Sequence, residues 1–383
     1  MSPPDSLRAL PALTPAPGGA MICTKDECRL IGADEARGLL RGGEVLLAHA
    51  AFVSGRLRAP LGKPVYDVLE LFAFVRPGQT FVPSAMGMAR ALGLAPLQTA
   101  ENSARALHEV AAMLIGEVAA LDEGSRAGLR PLAGTLARAG WRWGAALLAA
   151  LGEEAHGSPI AGLEAWRGLP EWEDDNAPGT PGSVPVETGE ARTRLAALVG
   201  MGGEMRPEQA AYADAATYAF GPRERSGAPK IALLEAGTGI GKTLGYLAPA
   251  SLWAEQNGPG LWISTYTRNL QRQIVQEIAR LYPDPVERAE KAVVRKGREN
   301  YLCLLNFEDA AKRTALAPGQ RSVALGLIAR WIGAGTDGDI SGAGFPAFLG
   351  ASMPLSEVTD RRGECIYAAC PHYRVCFIER AIR

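Results

Sequence analysis

The stretch Ile231-Ala-Leu-Leu-Glu-Ala-Gly-Thr-Gly-Ile-Gly-Lys-Thr243 decides the fold of the second half of this chain. It runs from an apolar segment into a glycine-rich loop, and a helical pattern follows over Leu244–Trp253. Small residues let backbone N–H groups close around phosphate groups, and the positive end of the following helix attracts the same anions. The sequence therefore predicts a buried strand over 231–235, a phosphate-binding loop and then a helix.

The residues of this loop have separate expected roles. Lys242 is expected to reach the β and γ phosphates of a nucleotide, and the Thr243 hydroxyl to ligate Mg²⁺. Ala236 stands where the usual pattern has a glycine, and its small side chain suits that position. Kinases, transporters and motors share such a loop, so it predicts ATP binding rather than one particular reaction. The residues expected to contact the nucleotide here are Ala236, Gly237, Thr238, Gly239, Ile240, Gly241, Lys242 and Thr243.

Length and composition limit the class of protein. The 383 residues exceed what one hydrophobic core usually supports, which predicts two or three domains. No apolar run approaches the roughly 20 residues that span a bilayer, and the start carries no export signal, so we expect a cytoplasmic protein with no membrane partner. The formal charge is −1, so any contact with nucleic acid must be local. Six cysteines are too sparse for a disulfide scaffold, which favours ligand roles over bridges.

Short apolar runs alternate with helical patterns along the chain, which predicts an α/β fold in several parts. Residues 1–18 are expected to be a flexible N-terminus, and 19–151 an α/β domain with a helical end. In that domain we expect a hairpin of 20–24 and 28–32, a helix over 33–41 and a buried strand over 44–50. Residues 152–195 are rich in Pro, Gly and acidic residues, which is typical of a linker. The α/β texture returns over 196–290, with apolar strands at 231–235 and 261–265, and 291–383 holds most of the cysteines.

Two segments near the phosphate loop, one upstream and one downstream, contain further candidate binding residues. Arg206 and Gln209 lie about 30 residues upstream, and the Gln amide could pair with both the donor and the acceptor of adenine. The same string could equally be an ordinary helix start with Pro207 in its first turn. Downstream, Ser264–Gln271 offers hydroxyls and amides suited to DNA phosphates, although Thr267 or Asn269 could instead cap a helix. The residues expected to contact DNA are Thr265, Thr267, Arg268, Asn269 and Gln271.

Four cysteines have a spacing that can close around one metal centre. Cys303 is followed late in the chain by Cys365-x4-Cys370-x5-Cys376. Four thiolates suit either a [4Fe–4S] cluster or tetrahedral zinc, and the lack of paired Cys-x2-Cys knuckles favours the cluster. Cys23 and Cys28 are expected to be small buried side chains, and His372 a surface residue. Positive charge surrounds the four cysteines and could hold single-stranded DNA, through Arg295, Lys296, Arg298, Lys312, Arg313, Arg361, Arg362 and Arg374.

Taken together, these motifs resemble the iron–sulfur DNA helicases of the DinG and XPD type, in superfamily 2. The resemblance rests on 235–243, on 264–271, on Lys296-Gly-Arg-x-Asn-Tyr-x-Cys303 and on the Cys-x4-Cys-x5-Cys run. It implies a RecA-like parallel sheet with an inserted iron–sulfur domain, and ATP, Mg²⁺ and a [4Fe–4S] cluster as cofactors. It also implies 5′ to 3′ unwinding in repair or replication, with DNA as the partner, single-stranded and at duplex junctions.

The N-terminal domain resembles a DnaQ-type 3′–5′ exonuclease, on Glu44–Val53, on Pro64–Leu71 and on Gln98–Ala104. This implies a ribonuclease-H-like fold. Such a nuclease needs clustered carboxylates for two metal ions. By this resemblance, Val53 stands where the family has an acid, Gln98 where it has the general-base histidine, and Ser103 where it has the last metal-binding acid. Asp67 alone cannot hold two metal ions. We therefore expect a degenerate domain with a structural or interaction role.

The 383 residues lack two parts that such a motor needs. No Asp-Glu-Ala-His string follows Thr243, and no second motor domain is recognisable. We therefore expect an N-terminal portion of a helicase that is inactive alone. Two alternatives stay open: a catalytically inactive fragment that binds nucleotide and DNA, and another P-loop ATPase with a zinc site. The sequence does not predict the oligomeric state.

Overall fold

The structure, a computed structural model, describes residues 7, 9–96, 98–152, 158, 160–172, 180, 182–200, 203, 206–222, 227–258, 260–361 and 363–382. The chain divides into two compact units. The first consists of Met1–Trp172 together with Lys296–Arg383, and the second is Glu173–Arg295. Residues 153–157, 159, 173–179 and 181 of the predicted linker, Met205 and Arg362 fall outside the described residues, as does the side chain of Arg268.

A five-stranded mixed sheet organises the start of the first unit. The strands are β1 (Ala12–Ala16), β2 (Gly19–Cys23), β3 (Cys28–Gly32), β4 (Leu46–Leu47) and β5 (Tyr66–Asp67). Their order is β3-β2-β1-β4-β5, with antiparallel pairing among β1, β2 and β3 and parallel pairing of β1 with β4 and β4 with β5. The predicted hairpin is confirmed, and the α/β class with it. Within the N-terminus that we expected to be flexible, 12–16 forms the middle strand, because its alternating side chains enter the two opposite cores of the sheet.

Helices cover both faces of this sheet and continue into the cysteine-bearing region. The predicted helix at 33–41 is confirmed, and it ends where Gly43 adopts φ 78° and its N–H bonds to the Leu39 carbonyl. The strand expected over 44–50 is reduced to two residues, since His49 turns into a helix at φ 66°. The helices of the first unit are α1 (Ala33–Gly42), α2 (Ala50–Leu57), α3 (Val68–Val75), α4 (Ala85–Ala91), α5 (Ala100–Ala119), α6 (Glu123–Arg138), α7 (Gly144–Leu151), α13 (Leu304–Thr314), α14 (Gln320–Ile332) and α15 (Phe377–Ile382), with 3-10 turns at Ala165–Gly168, Arg298–Asn300, Ala347–Ala351, Leu355–Glu357, Tyr367–Ala369 and Tyr373–Val375.

One hydrophobic core joins the two sequence segments of the first unit. α14 is buried along nearly its whole length and packs against α3 and α6. Arg330 of α14 donates from Nε to the Phe74 carbonyl at 2.9 Å, and Gly326 lies against Leu136. Phe72, Phe307 and Phe377 are fully buried in the same core. The cysteine-bearing segment is therefore packed directly on the N-terminal segment.

The second unit is helical in its described part. Its helices are α8 (Thr188–Val199), α9 (Pro207–Thr217), α10 (Lys242–Asn257), α11 (Arg268–Leu281) and α12 (Pro285–Lys291), with a 3-10 turn at Tyr218–Phe220. Their small core includes Leu195, Ala213, Leu244 and Ala248. The strands expected at 231–235 and 261–265 are not formed: neither segment is paired within the described residues, and a strand needs a neighbour to bond with. The predicted RecA-like sheet is therefore absent from the described part of this unit, and Leu233 is 94% exposed.

Two cysteine expectations need correction. Cys23 and Cys28 are joined by a disulfide rather than lying as separate thiols. They are paired opposite each other across β2 and β3, with Cα atoms 4.1 Å apart, which brings their sulfur atoms within bonding reach. Sparse cysteines had suggested no bridges, but the hairpin register places these two together. No helix among the described residues is both long and apolar enough to cross a bilayer.

Candidate functional site

The phosphate-loop segment bends where its glycines allow it. Gly239 and Gly241 both have φ 83°, a left-handed conformation that glycine adopts without strain. A Cβ atom on Gly241 would also lie 2.2 Å from the Gln209 side-chain nitrogen. Gly241 is the N-cap of α10, so the helix begins at Lys242, two residues earlier than predicted.

Lys242 and Thr243 occupy the first turn of α10. The Lys242 ammonium donates to the carbonyls of Ala236 and Gly237 at 2.9 and 2.8 Å, so the charge lies at the centre of the loop. Thr243 is buried, and its hydroxyl shares a hydrogen bond with Tyr246. Burial raises the pKa of that tyrosine, and the bond to Thr243 opposes the rise. A helix N-terminus with a lysine at its first position attracts anions, which is the electrostatic requirement of a phosphate site.

Arg206 and Gln209 both contact this loop. Arg206 donates from Nη1 to the Gly239 carbonyl, and Gln209 donates from Nε2 to the Gly241 carbonyl at 2.9 Å. Gln209 is 5% exposed, so its amide is engaged with the loop rather than open to solvent. The structure therefore brings these two residues to the phosphate loop, as their predicted role in nucleotide binding requires, with the glutamine facing the backbone of the loop.

The segment proposed to contact DNA lies at the start of α11. Thr267 is its N-cap, and the threonine hydroxyl accepts from the Leu270 N–H at 3.2 Å. Asn269 is exposed and accepts from Arg272, while Thr265 and Gln271 are half-buried. The capping role offered as an alternative for Thr267 is thus real, and it leaves the exposed amide of Asn269 available for a phosphate.

An exposed aromatic residue lies in the same unit. Trp262 is 73% exposed, and the guanidinium of Arg295 lies 4.8 Å from the centre of its ring. A tryptophan face next to an arginine is a surface on which a nucleic-acid base can stack. The sequence prediction did not include this residue. A tryptophan in the strand-like segment directly before the 264–271 motif could have indicated a base-stacking surface.

The four later cysteines are half-buried free thiols in the first unit. Burial raises the pKa of Cys303 and raises the pKa of Cys376 to about 11. Backbone N–H groups oppose this rise: those of Leu305 and Asn306 point at the sulfur of Cys303, and those of Ile378 and Glu379 at the sulfur of Cys376. Both cysteines immediately precede helices, where such N–H groups are free to donate.

The four thiols affect one another electrostatically in pairs. Besides burial, the charge of Cys370 raises the pKa of Cys303, and that of Cys365 raises the pKa of Cys370. The charge of Cys303 likewise raises the pKa of Cys376. Within the part of the chain that the structure describes, however, no three His, Cys, Asp or Glu side chains are close enough to hold a metal ion. The donor chemistry fits a thiolate-bound centre, and the described positions of the sulfur atoms do not yet converge on one.

Arg298 connects this cysteine set to buried carboxylates. Its guanidinium donates to Asp360 at 3.2 Å and to Glu379 at 2.7 Å, and also to the sulfur of Cys365 at 3.3 Å. Both carboxylates are more than nine-tenths buried. Because of these acceptors the pKa of Arg298 is raised further above its usual value despite burial, so the cation is permanent. Sequence analysis had placed Arg298 in the family motif and in a general basic surface, without predicting its contacts with Asp360, Glu379 and Cys365.

His372 differs from its expected place. It is 6% exposed, so it is buried rather than on the surface, and it shares a 2.7 Å hydrogen bond with Glu308. The Trp166 ring packs against it edge-on with centroids 5.6 Å apart, and this contact accounts for the burial.

The residues at the positions of the degenerate nuclease site have structural roles in this chain. Asp67 accepts N–H bonds from His49, Ala50 and Leu69, at 2.9, 2.6 and 3.0 Å, and so caps the beginnings of both α2 and α3. Burial raises the pKa of Asp67, and these three donors oppose the rise. Val53 is buried, and Ser103 lies in the first turn of α5. A carboxylate that already holds three N–H groups is committed to the fold.

Taken together, the glycine bends, the lysine at the first position of α10 and the two side chains that bond to the loop carbonyls form a candidate phosphate-binding site. Comparison with known proteins identifies relatives of this chain. The chain is 35% identical over 149 residues to the ATP-dependent DNA helicase YoaA of Escherichia coli, a match that covers 39% of this chain and 22% of the relative. It is 30% identical over 200 residues to the ATP-dependent helicase DinG of Mycobacterium tuberculosis, covering 48% and 29%.

A third relative carries a different description. The chain is 46% identical over 81 residues to the 3′-5′ exonuclease DinG of Bacillus subtilis, which is 20% of this chain and 8% of the relative. These matches confirm the relationship to the DinG-type helicase family that the motifs indicated. The chain covers less than a third of the length of each of these relatives. No family model and no solved structure matches the chain.

Proposed function

We propose that this chain is the nucleotide-binding portion of an ATP-dependent DNA helicase that couples ATP hydrolysis to 5′ to 3′ unwinding during DNA repair or replication. The observation that carries the proposal is the position of Lys242 at the first residue of α10. Gly239 and Gly241 precede it with left-handed backbone conformations, and the side chains of Arg206 and Gln209 bond to the carbonyls of these two glycines. Two relatives that are named ATP-dependent helicases support it. An enzyme of this kind would act on DNA in the cytoplasm.

In this proposal the loop residues 236–243 bind the phosphates of ATP, and Thr243 ligates Mg²⁺. Arg206 and Gln209 support the nucleotide site by holding the Gly239 and Gly241 carbonyls of the loop. The polar residues at the start of α11 contact the phosphates of single-stranded DNA and of duplex junctions, through Thr265, Thr267, Arg268, Asn269 and Gln271.

We further propose that Cys303, Cys365, Cys370 and Cys376 bind a [4Fe–4S] cluster. What supports it is the set of four neighbouring thiols with N–H donors aimed at the sulfur atoms, since such bonds favour the thiolate form that binds iron. When bound, the cluster would supply a rigid cross-link of the segment between Cys303 and Cys376. Arg298 would orient Cys365, and binding would displace the thiol protons.

The N-terminal domain is proposed to be ribonuclease-H-like in fold and to have no nuclease activity. Its mixed five-stranded sheet with helices on both faces is compatible with that fold. The role of Asp67 as a double helix cap supports the loss of the metal pocket.

Hydrolysis by the purified chain tests the motor assignment. The 383 residues contain no Walker B pair, so we expect ATP hydrolysis near the buffer rate, with or without single-stranded DNA. Nucleotide binding should nevertheless be measurable. Rapid DNA-stimulated turnover by these residues alone would contradict this expectation, because it would require catalytic carboxylates within the 383 residues.

Metal analysis tests the cysteine assignment. Protein purified without oxygen should contain about four iron atoms and as many acid-labile sulfides per chain. Cys303→Ser and Cys370→Ser should each lose iron, whereas Cys28→Ser, at the disulfide, should retain it. One zinc and no iron would favour a different P-loop ATPase with a structural zinc site.

A further inference from the structure

The segment Ala165–Trp172, which we call the tryptophan strap, lies directly against the loop that carries Cys370 and Cys376. We propose that the strap is a positioning element for these two cysteines, with Trp172 as its main residue. A segment that the sequence predicted to be part of the linker over 152–195 would then have a structural function. The meaning of this role for a metal centre rests on the proposed function, while the positioning itself does not.

Trp172 makes three kinds of contact with the cysteine loop. Its backbone N–H donates to the Arg374 carbonyl at 2.9 Å, and its indole N–H donates to the Tyr373 carbonyl at 2.8 Å. The Tyr373 ring packs edge-on against the indole with centroids 5.3 Å apart. The Arg374 guanidinium lies 4.9 Å from the centre of the indole ring. Trp172 is 7% exposed, so these bonds are made in a nearly dry environment.

The rest of the strap contacts both sides of the same loop. The Trp166 ring packs against His372, which lies between the two cysteines, and against Phe307 in α13, the helix that follows Cys303. At the other end, Arg380 in α15 donates to the Pro170 carbonyl. The strap therefore spans the elements next to three of the four cysteines.

The cysteine loop has little regular structure to hold its own shape. Between Cys365 and Cys376 the backbone forms only two three-residue 3-10 turns, Tyr367–Ala369 and Tyr373–Val375. Such turns are weak, because few backbone hydrogen bonds close them. Two carbonyls of the second turn region, those of Tyr373 and Arg374, accept additional bonds from Trp172. Loss of these bonds should let the loop open locally without unfolding the unit.

Alkylation of the thiols in metal-free protein provides the test. Trp172→Phe removes the indole N–H and keeps an aromatic ring, whereas Trp141→Phe removes a comparable bond, from the indole N–H to Glu70 at 2.7 Å, elsewhere in the same unit. The full chain is treated with iodoacetamide under native conditions, and the rates at Cys370 and Cys376 are read by peptide mass spectrometry. Loss of one buried hydrogen bond should raise these rates about five-fold in Trp172→Phe. Rates in Trp141→Phe should match those of the unchanged chain.

Two results would overturn the proposal. One is an unchanged rate in Trp172→Phe, and the other is an equal rise in both variants, which would indicate general loosening. Should Trp172→Phe fail to fold, Arg380→Met provides the comparison, since it removes the bond to Pro170 and keeps the bulk of the side chain. A separate iron determination on the unchanged chain distinguishes this inference from the proposed function: absence of bound iron would end the cluster proposal and leave the alkylation result intact.

Discussion

Replacing Glu70 by Gln should remove a pH dependence that the first unit carries in its core. Glu70 lies in α3, and its Oε2 accepts from the Trp141 indole N–H at 2.7 Å. Burial, and then the charge of Asp67, raise the pKa of Glu70 to about 8. The folded carboxyl is therefore protonated at neutral pH, whereas in the unfolded chain it ionises near its usual 4.5.

The sign of the effect follows from this difference. The folded state binds the proton more tightly, so the stability it gains is complete below pH 4.5 and is lost as the pH rises through 8. One unit of pKa is worth about 1.36 kcal/mol. Because the side chain is partly accessible, we expect less than the full shift, roughly 2 kcal/mol of unfolding free energy, to be lost between these two pH values. An amide does not titrate, so the Gln variant should not lose this unfolding free energy as the pH rises.

Urea unfolding followed by tryptophan fluorescence at pH 5, 6.5 and 8 measures this difference. The stability of Glu70→Gln relative to the unchanged chain should rise by roughly 2 kcal/mol from pH 5 to pH 8. Glu101→Gln, at an exposed carboxylate paired with Arg105, is the control and should show almost no such trend. Parallel pH profiles for Glu70→Gln and the unchanged chain would refute the buried, protonated carboxyl.

Three other substitutions test other parts of the structure. Arg298→Ala should lower the unfolding free energy by about 3–5 kcal/mol, because it leaves two buried carboxylates unpaired, and thermal denaturation of the metal-free chain measures this. Gly326→Ala should lower the unfolding free energy by about 1–3 kcal/mol, because its Cβ would lie 2.4 Å from Leu136. Gly128→Ala, at a helical position with no neighbour within 4 Å, should instead raise the unfolding free energy by about 0.5–1 kcal/mol. A similar effect of both substitutions in chemical denaturation would contradict the packing of α14 on α6. Gln209→Ala should weaken ATP binding about five-fold through loss of the bond to the Gly241 carbonyl, and unaltered affinity in a titration would remove Gln209 from the site.

Local patterns in the sequence predicted what local chemistry determines. The glycine-rich string placed Lys242 at a helix start, and Thr267 was offered as a cap of the helix that begins at Arg268. The hairpin at Gly19–Gly32 followed from alternation around a polar turn. In each case the residues that decide the structure lie within a few positions of one another, so a single sequence contains the necessary information.

Contacts between distant residues were not predictable in the same way. Arg330 bonds to the Phe74 carbonyl across 256 positions, and Trp172 to Tyr373 across 201. Nothing in the periodicity of either segment indicates its partner. The apolar run at 231–235 predicted a strand from composition, yet a strand also requires a paired neighbour, which that run lacks among the described residues. The disulfide of Cys23 with Cys28 depended on the exact hairpin register, which spacing alone leaves open.

Binding of ATP by Lys242 is the claim on which the account depends most, and a titration of the purified chain with a fluorescent ATP analogue in the presence of Mg²⁺ tests it directly. We expect saturable binding that Lys242→Ala weakens at least about ten-fold, because the ammonium provides a charge-assisted contact to the phosphates. Lys230→Ala, at a lysine of the same unit that lies 4.1 Å from the Tyr218 ring centre, should bind like the unchanged chain. Equal affinity of the Lys242→Ala variant and the unchanged chain, or no saturable binding by either, would contradict the assignment of a phosphate-binding loop.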